Sequence, residues 1–279
     1  MRGLFVGFIV LLTLLMQGCA HFSVASRIKN ADLMADKAGW KADTLHTQFF
    51  NIESYAPASK TNNTVKHHIK KNETLTVYIE GDGLAWVSRT QPSSNPTPMN
   101  PLALKLALKD HGNVVYLGRP CQYVESKNCT QKYWTNARFG PEVVASMDQA
   151  VSLVKAKFHA KNIILVGYSG GGAIAALVAA RRHDVVRLIT VAGNLDPQKW
   201  TQLLDITPLT GSLNPADYWR ELMNIPQLLL IGGKDKTIPL AVDESYRDRF
   251  PKGKQPQIKV VPDFNHHCCW STQWPELMH

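Results

Sequence analysis

Runs of basic residues are missing from this chain. It holds 31 Lys and Arg against 22 Asp and Glu, a formal charge of +9, yet nothing longer than pairs such as Lys70-Lys71 and Arg181-Arg182 occurs. Nucleic-acid binders gather their cations into a patch or stripe, so scattered charge argues against that partner. It suits solubility, or a protein beside an anionic membrane. Cysteine is scarce, at 5 residues, and lacks the paired spacing that zinc prefers. The apolar run at 4–16 is 13 residues, which at 1.5 Å per residue covers roughly 20 Å and falls short of a ~30 Å bilayer core. Internal repeats and low-complexity tracts are absent. With 44% hydrophobic and 19% charged residues, the chain has the apolar surface to build a core, which excludes general disorder. Its 279 residues suit one large α/β domain better than two small ones.

The beginning of the chain has the three parts of an export signal: Arg2 as the positive region, the apolar run, then weakly polar residues before Cys19. Leu15-Met16-Gln17-Gly18-Cys19 resembles a lipobox, the bacterial cleavage site before a lipid-modified cysteine, with Met16 where Leu is commoner. The resemblance implies a signal peptide at 1–18 and a lipoprotein acylated at Cys19. Ala20 follows instead of aspartate, which favours the outer membrane, facing the periplasm. Two or three acyl chains anchor stably where one binds marginally. An ordinary signal peptide containing a cysteine, or a cytoplasmic chain with a hydrophobic start, are the alternatives. Export puts the other cysteines in an oxidising compartment, so Cys121 and Cys129, in one polar loop, are expected to pair as a disulfide. Cys268 and Cys269 stay open between free thiols, a vicinal bridge and partners elsewhere.

Residues 19–45 are polar and mixed, expected as a lipid-anchored tether with one short helix ahead of a domain at 46–279. A strand or hairpin is expected near 46–55, an exposed turn over the Asn-, Lys- and Thr-rich 57–73, and a strand at 75–79. Strands at 113–117, 163–166, 185–191, 227–231 and 257–261 then alternate with helices. One helix starts at Pro141, a favoured first helical position, and its Val143, Val144, Met147, Ala150, Val151 and Val154 recur at helical spacing. Others are expected over 171–182, over 240–250 and near the end of the chain. Residues 195–225 hold three Pro and two Trp without clear periodicity and read as a small cap or insertion. The pattern predicts an α/β fold: a mostly parallel central sheet with helices on both faces.

Gly167-Tyr168-Ser169-Gly170-Gly171 carries the strongest local signal. It follows the apolar strand at 163–166 and precedes an Ala-rich helix, the strand–turn–helix setting in which Gly-x-Ser-x-Gly exposes a nucleophile on a tight turn. A phosphate loop would normally carry a Lys or a different glycine spacing. A serine hydroxyl needs a base to take its proton, and the base an orienting acid. Asp235, in Gly232-Gly233-Lys234-Asp235-Lys236-Thr237-Ile238-Pro239, is the favoured acid, and Asp196, after the preceding strand, is the alternative. His266 is the favoured base, with His267 the alternative. For an oxyanion hole, two N–H groups aimed at the oxygen that becomes negative, the candidates are Gly170 and the loop Glu80-Gly81-Asp82-Gly83. Asp82 is preferred there over Gly83.

In this order, each after a strand, these pieces resemble the α/β-hydrolase superfamily over roughly 45–279. Departures from its pattern are Ile238 for Val in the acid turn, Asp263 for Gly before the histidine, and Glu80 where His is usual. An acidic side chain near an oxyanion is unhelpful unless it turns away. The resemblance implies a serine hydrolase acting on an ester, thioester or amide through an acyl-enzyme, with a small-molecule or lipid substrate and no metal or organic cofactor. A carboxylesterase or lipase fits better than a peptidase. A non-catalytic envelope lipoprotein using the fold for binding is the alternative. The Gly118-Arg119-Pro120-Cys121-Gln122 loop, Trp134, Arg138 and Cys268-Cys269-Trp270 look like features of a narrower bacterial subgroup and are candidates for lining the site. Trp134 and Trp270 are equally explicable as buried aromatics.

Overall fold

The computed structural model describes residues 23–58 and 73–278. The leader at 1–18, Cys19 and residues 59–72 of the expected exposed turn lie outside them.

Strands made almost wholly of apolar residues can be satisfied only where both faces of a sheet are covered. The sheet here has eight strands: β1 (Trp40–His46), β2 (Asn51–Pro57), β3 (Thr74–Ile79), β4 (Val114–Leu117), β5 (Asn162–Tyr168), β6 (Val185–Val191), β7 (Gln227–Gly232) and β8 (Gln257–Val261). Their spatial order is β1-β2-β4-β3-β5-β6-β7-β8. β2 pairs antiparallel with β1 and β4, and every other pair is parallel. Successive side chains of a strand point to opposite faces, and β3 shows the division. Leu75, Val77 and Ile79 join one core, and Tyr78 joins the other.

The first core is closed by α3 (Pro141–Lys157) and α4 (Gly170–Ala179). α3 buries the six apolar residues expected from its periodicity. Every residue of α4 is buried, so its run of Gly and Ala lets the helix lie close against the sheet. The second core is covered by α1 (Val24–Lys37), α2 (Leu102–Ala107) and Trp270 and Trp274 near the end of the chain.

Three expectations change. The stretch expected as a tether is folded from Val24 onward: it forms α1 and the edge strand β1, so the domain begins there and not at 46. Ser23 caps α1 by accepting from the Ser26 amide at 3.1 Å. The buried stripe of α1 consists of Arg27, Ala31 and Ala35, too small and too polar to register as an apolar face. A short helix in that stretch was expected but α2 was not, because six residues hold too few turns for a period to show. The short helix expected at the end of the chain is instead a pair of 3-10 turns, Trp270–Thr272 and Glu276–Met278. Residues 195–225 form the crossover from β6 to β7, with α5 (Pro197–Leu203), a 3-10 turn (Pro215–Tyr218) and α6 (Trp219–Leu222). The Leu213 amide donates to Phe139 O at 3.0 Å, which ties this crossover to the loop before α3. The helix expected over 240–250 is α7 (Leu240–Arg247).

Candidate active site

β5 ends at Tyr168 and α4 starts at Gly170, so Ser169 must reverse the chain alone. It does so at φ 53° and ψ −123°, a conformation that costs a non-glycine residue of order 1–3 kcal/mol and persists only where the surroundings fix it. Here they do. The Ser169 amide donates to Val191 O at 2.9 Å, and its carbonyl accepts from Gly172 N at 2.9 Å and Asn194 N at 3.1 Å. A side chain at position 167 would collide with the Gly171 carbonyl, so the turn requires glycine there.

Two strands farther along the sheet, β7 and β8, bring the other groups to the same edge. His266, in the loop after β8, places Nε2 3.0 Å from Ser169 Oγ and Nδ1 2.8 Å from Asp235 Oδ2. Asp235, in the loop after β7, accepts at Oδ1 from the amides of Thr237 (2.8 Å) and Ile238 (2.9 Å). All three residues are buried. The carboxylate is thus locked by two backbone donors, leaving its second oxygen to orient the imidazole. Tyr168 was not expected to take part. Its hydroxyl donates to the His266 carbonyl at 3.1 Å, which links the elbow to the histidine loop. That loop is also held by Asn265, whose side chain accepts from the amides of His267 and Cys268 and whose carbonyl accepts from Trp270 Nε1.

The two alternatives sit elsewhere. Asp196 caps α5: it accepts from the Lys199 amide (3.0 Å), Asn214 Nδ2 (3.1 Å) and Ser245 Oγ (2.7 Å). His267 meets the Tyr168 hydroxyl at 3.0 Å through Nδ1. Partial burial and the neighbouring His266 push its pKa below the usual imidazole value.

The loop after β3 lies against the elbow: a Cβ on Gly81 would stand 3.3 Å from Ser169 Cβ. The Gly81 amide is taken by Glu80 Oε1 at 2.9 Å, whereas among the described residues neither the Asp82 nor the Gly170 amide has an acceptor. Glu80 is turned into the second core, where it accepts from the Tyr116 hydroxyl (3.1 Å) and the Ala103 amide (3.4 Å). Burial pushes its carboxyl up to about 7 despite these donors.

Asp82 turns its carboxylate to Arg119 Nη1 and Arg138 Nη1, each at 2.5 Å. Burial alone would raise its pKa, but the two guanidinium groups outweigh that and hold it below the usual carboxylate range. Arg119 of the 118–122 loop and Arg138, candidates for lining the site, therefore reach it through Asp82. No local pattern announces this, since the partners come from separate loops. Trp134 and Trp270 are buried, and their ring nitrogens donate to the carbonyls of Ser93 and Asn265. Cys121 and Cys129 stand within disulfide distance, their Cα atoms 5.6 Å apart, and so do Cys268 and Cys269 as a vicinal pair.

Neither a family model nor a curated protein sequence matches the chain. Solved structures do. An esterase of Pyrococcus furiosus aligns with a TM-score of 0.57 at 14% identity, covering 87% of this chain and 93% of the other. A membrane phospholipase A described as a bacterial virulence factor aligns at 0.53 and 18% identity, covering 100% and 96%. A lidless α/β serine hydrolase of Xanthomonas campestris aligns at 0.51 and 13%, covering 82% and 86%. At such identities the likeness is one of architecture, and the architecture is the α/β-hydrolase fold.

Proposed function

We propose that the protein is a serine hydrolase that cleaves a carboxylic ester, or a thioester or amide, through an acyl-enzyme on Ser169. The observation that carries this reading is the unbroken series from Ser169 Oγ through His266 to Asp235, at 3.0 and 2.8 Å. Ser169 Oγ attacks the substrate carbonyl carbon while its proton passes to His266 Nε2. The new imidazolium is stabilised by the Asp235 side chain that orients it. The carbonyl oxygen, now negative, faces the two unpartnered amides of Asp82 and Gly170, the donors an oxyanion requires. The carbon–leaving-group bond then breaks as His266 returns the proton to the departing alcohol, thiol or amine. Water, deprotonated by the same imidazole, attacks the acyl-serine and frees the acid.

Esters and lipids are the favoured substrate class. The similar solved structures include an esterase and a phospholipase, and the lipobox at Leu15–Cys19 supports a lipoprotein at the outer membrane, beside such substrates. The test is labelling with a fluorophosphonate, which traps an activated serine. Wild-type protein takes the label and hydrolyses p-nitrophenyl esters, and Ser169→Ala does neither. A folded wild-type protein that is never labelled would overturn the reading and favour a binding role. Palmitate incorporation lost in Cys19→Ser tests the anchor.

A further inference from the structure

The reaction proposed above leaves one buried charge cluster beside Ser169 without a task. Arg119 and Arg138 are 4% and 6% exposed at the side chain and grip the two oxygens of the same Asp82 carboxylate. Arg119 also donates to the Arg138 carbonyl and lies over the Phe139 ring at 5.3 Å, and Arg138 Nε donates to Thr135 O at 2.6 Å. Two buried cations and one partly exposed carboxylate leave a net positive charge beside the elbow. The approach is close. A Cβ on Gly170 would collide with Asp82 Oδ1 and stand 2.8 Å from Arg119 Nη1.

A second contact comes from the same loop. Gln122 Nε2 donates to the Gly81 carbonyl at 2.9 Å, while Gln122 Oε1 accepts from the Arg119 amide at 3.0 Å. A trans peptide points its C=O and its N–H in opposite directions. Holding the Gly81 carbonyl on one side therefore fixes the Asp82 N–H, which belongs to the same peptide, toward the other. The pairing of Cys121 with Cys129 closes a loop that carries Gln122 and starts two residues after Arg119.

We infer that Arg119, Arg138 and Gln122 are positioning residues for the oxyanion donor at Asp82: Gln122 sets the direction of the 81–82 peptide, and the two arginines hold the Asp82 carboxylate and reverse the charge it presents to the oxyanion. An unneutralised carboxylate at this place would oppose the negative charge that develops in the transition state. With both guanidinium groups present, the field there favours that charge. The inference rests on the reading of Ser169 as nucleophile.

The experiment is a double-mutant cycle on a neutral p-nitrophenyl ester. Arg119→Met is expected to lower kcat by about 10²–10³-fold, the range for losing an oxyanion donor, with KM little changed. In an Asp82→Asn background the same substitution costs less than about tenfold, because no carboxylate remains to be neutralised. Gln122→Glu, isosteric but without the donor to the Gly81 carbonyl, lowers kcat with KM little changed. Arg119→Lys, which keeps the charge, recovers most of the activity and supplies the readout if Arg119→Met fails to fold by its melting transition.

An equal loss in both backgrounds would overturn the proposal, and so would full activity in Arg119→Met. So would a loss confined to an anionic ester and expressed in KM, which would make the arginines substrate contacts. Fluorophosphonate labelling separates the two levels. Unlabelled wild-type protein defeats the hydrolase reading and this inference together; labelled wild type with unimpaired variants defeats only the inference.

Discussion

Glu80 offers the sharpest test of how burial governs this site. Glu80 is 1% exposed and, although four donors reach its carboxyl, burial raises its pKa from 4.5 to about 7. The folded chain thus keeps, between pH 4.5 and about 7, a proton that the unfolded chain has released. The sign is opposite to that of a salt-bridged carboxylate. The stability contributed by Glu80 is complete below the unfolded pKa and is lost as pH rises through the folded one. At 1.36 kcal/mol per pKa unit, the loss across this window is about 3 kcal/mol. Glu80→Gln keeps an acceptor for the Gly81 amide and removes the titration. Melting temperatures of wild type and variant, measured from pH 4.5 to 8, should therefore converge or cross. At roughly 2–4 °C per kcal/mol for a domain of this size, the difference between the two should move by about 6–12 °C in the variant's favour. Taking the difference cancels the other titrating groups. Parallel curves, or a wild type that gains on the variant as pH rises, would refute the argument from burial.

Further outcomes follow from the same geometry. Asp235→Asn should lower kcat by about 10⁴-fold, the loss seen when a triad acid no longer orients its histidine. Asp196→Ala should leave kcat within a few-fold and cost about 1 kcal/mol of stability as a lost helix cap; the reverse pattern would make Asp196 the acid. His266→Ala should abolish fluorophosphonate labelling, whereas His267→Ala should keep it and leave the acidic limb of the kcat/KM profile in place. Replacing Cys121 and Cys129 together by Ser should cost about 2–3 kcal/mol from loop closure, read as a lower melting temperature on which reductant has less effect than on the wild type.

The elbow was legible in the sequence because three local signals agree there: an apolar run into Tyr168, glycines around Ser169, and an Ala-rich stretch after it. Each is a neighbour effect that composition displays. The sequence favoured Asp235 over Asp196 and His266 over His267 by turn pattern and spacing but left both alternatives open, since each member of a pair follows an acceptable strand or adjoins the other. What separates them is where Nδ1 and Nε2 of one ring fall relative to residues far along the chain. Glu80 looked unsuitable beside an oxyanion, and only its turn toward Tyr116 and Ala103 removes the objection. A short helix was expected where α1 lies, but not its docking. Its fully buried residues are Arg27, Ala31 and Ala35, Ile28 and Met34 pack beside them only partly buried, and Leu33 is 48% exposed, a weak stripe that does not announce a packed face. The grip of Arg119 and Arg138 on Asp82 joins three loops, and charge pairs at that separation leave no periodic trace.

If Cys19 is acylated as proposed, the docking of α1 limits how far the molecule could roam from a membrane. Arg27 fastens the helix to the body through the carbonyls of Thr97 and Asn95, and α1 begins at Val24. Between Cys19 and Ser23 a fully stretched chain covers at most about 14 Å, whereas a loose leash over 19–45 would have reached roughly 90 Å. With Cys19 acylated as proposed, the protein would ride like a boat on a short mooring line. Its working radius would then be a thin layer next to the headgroups, and any substrate would have to come to it.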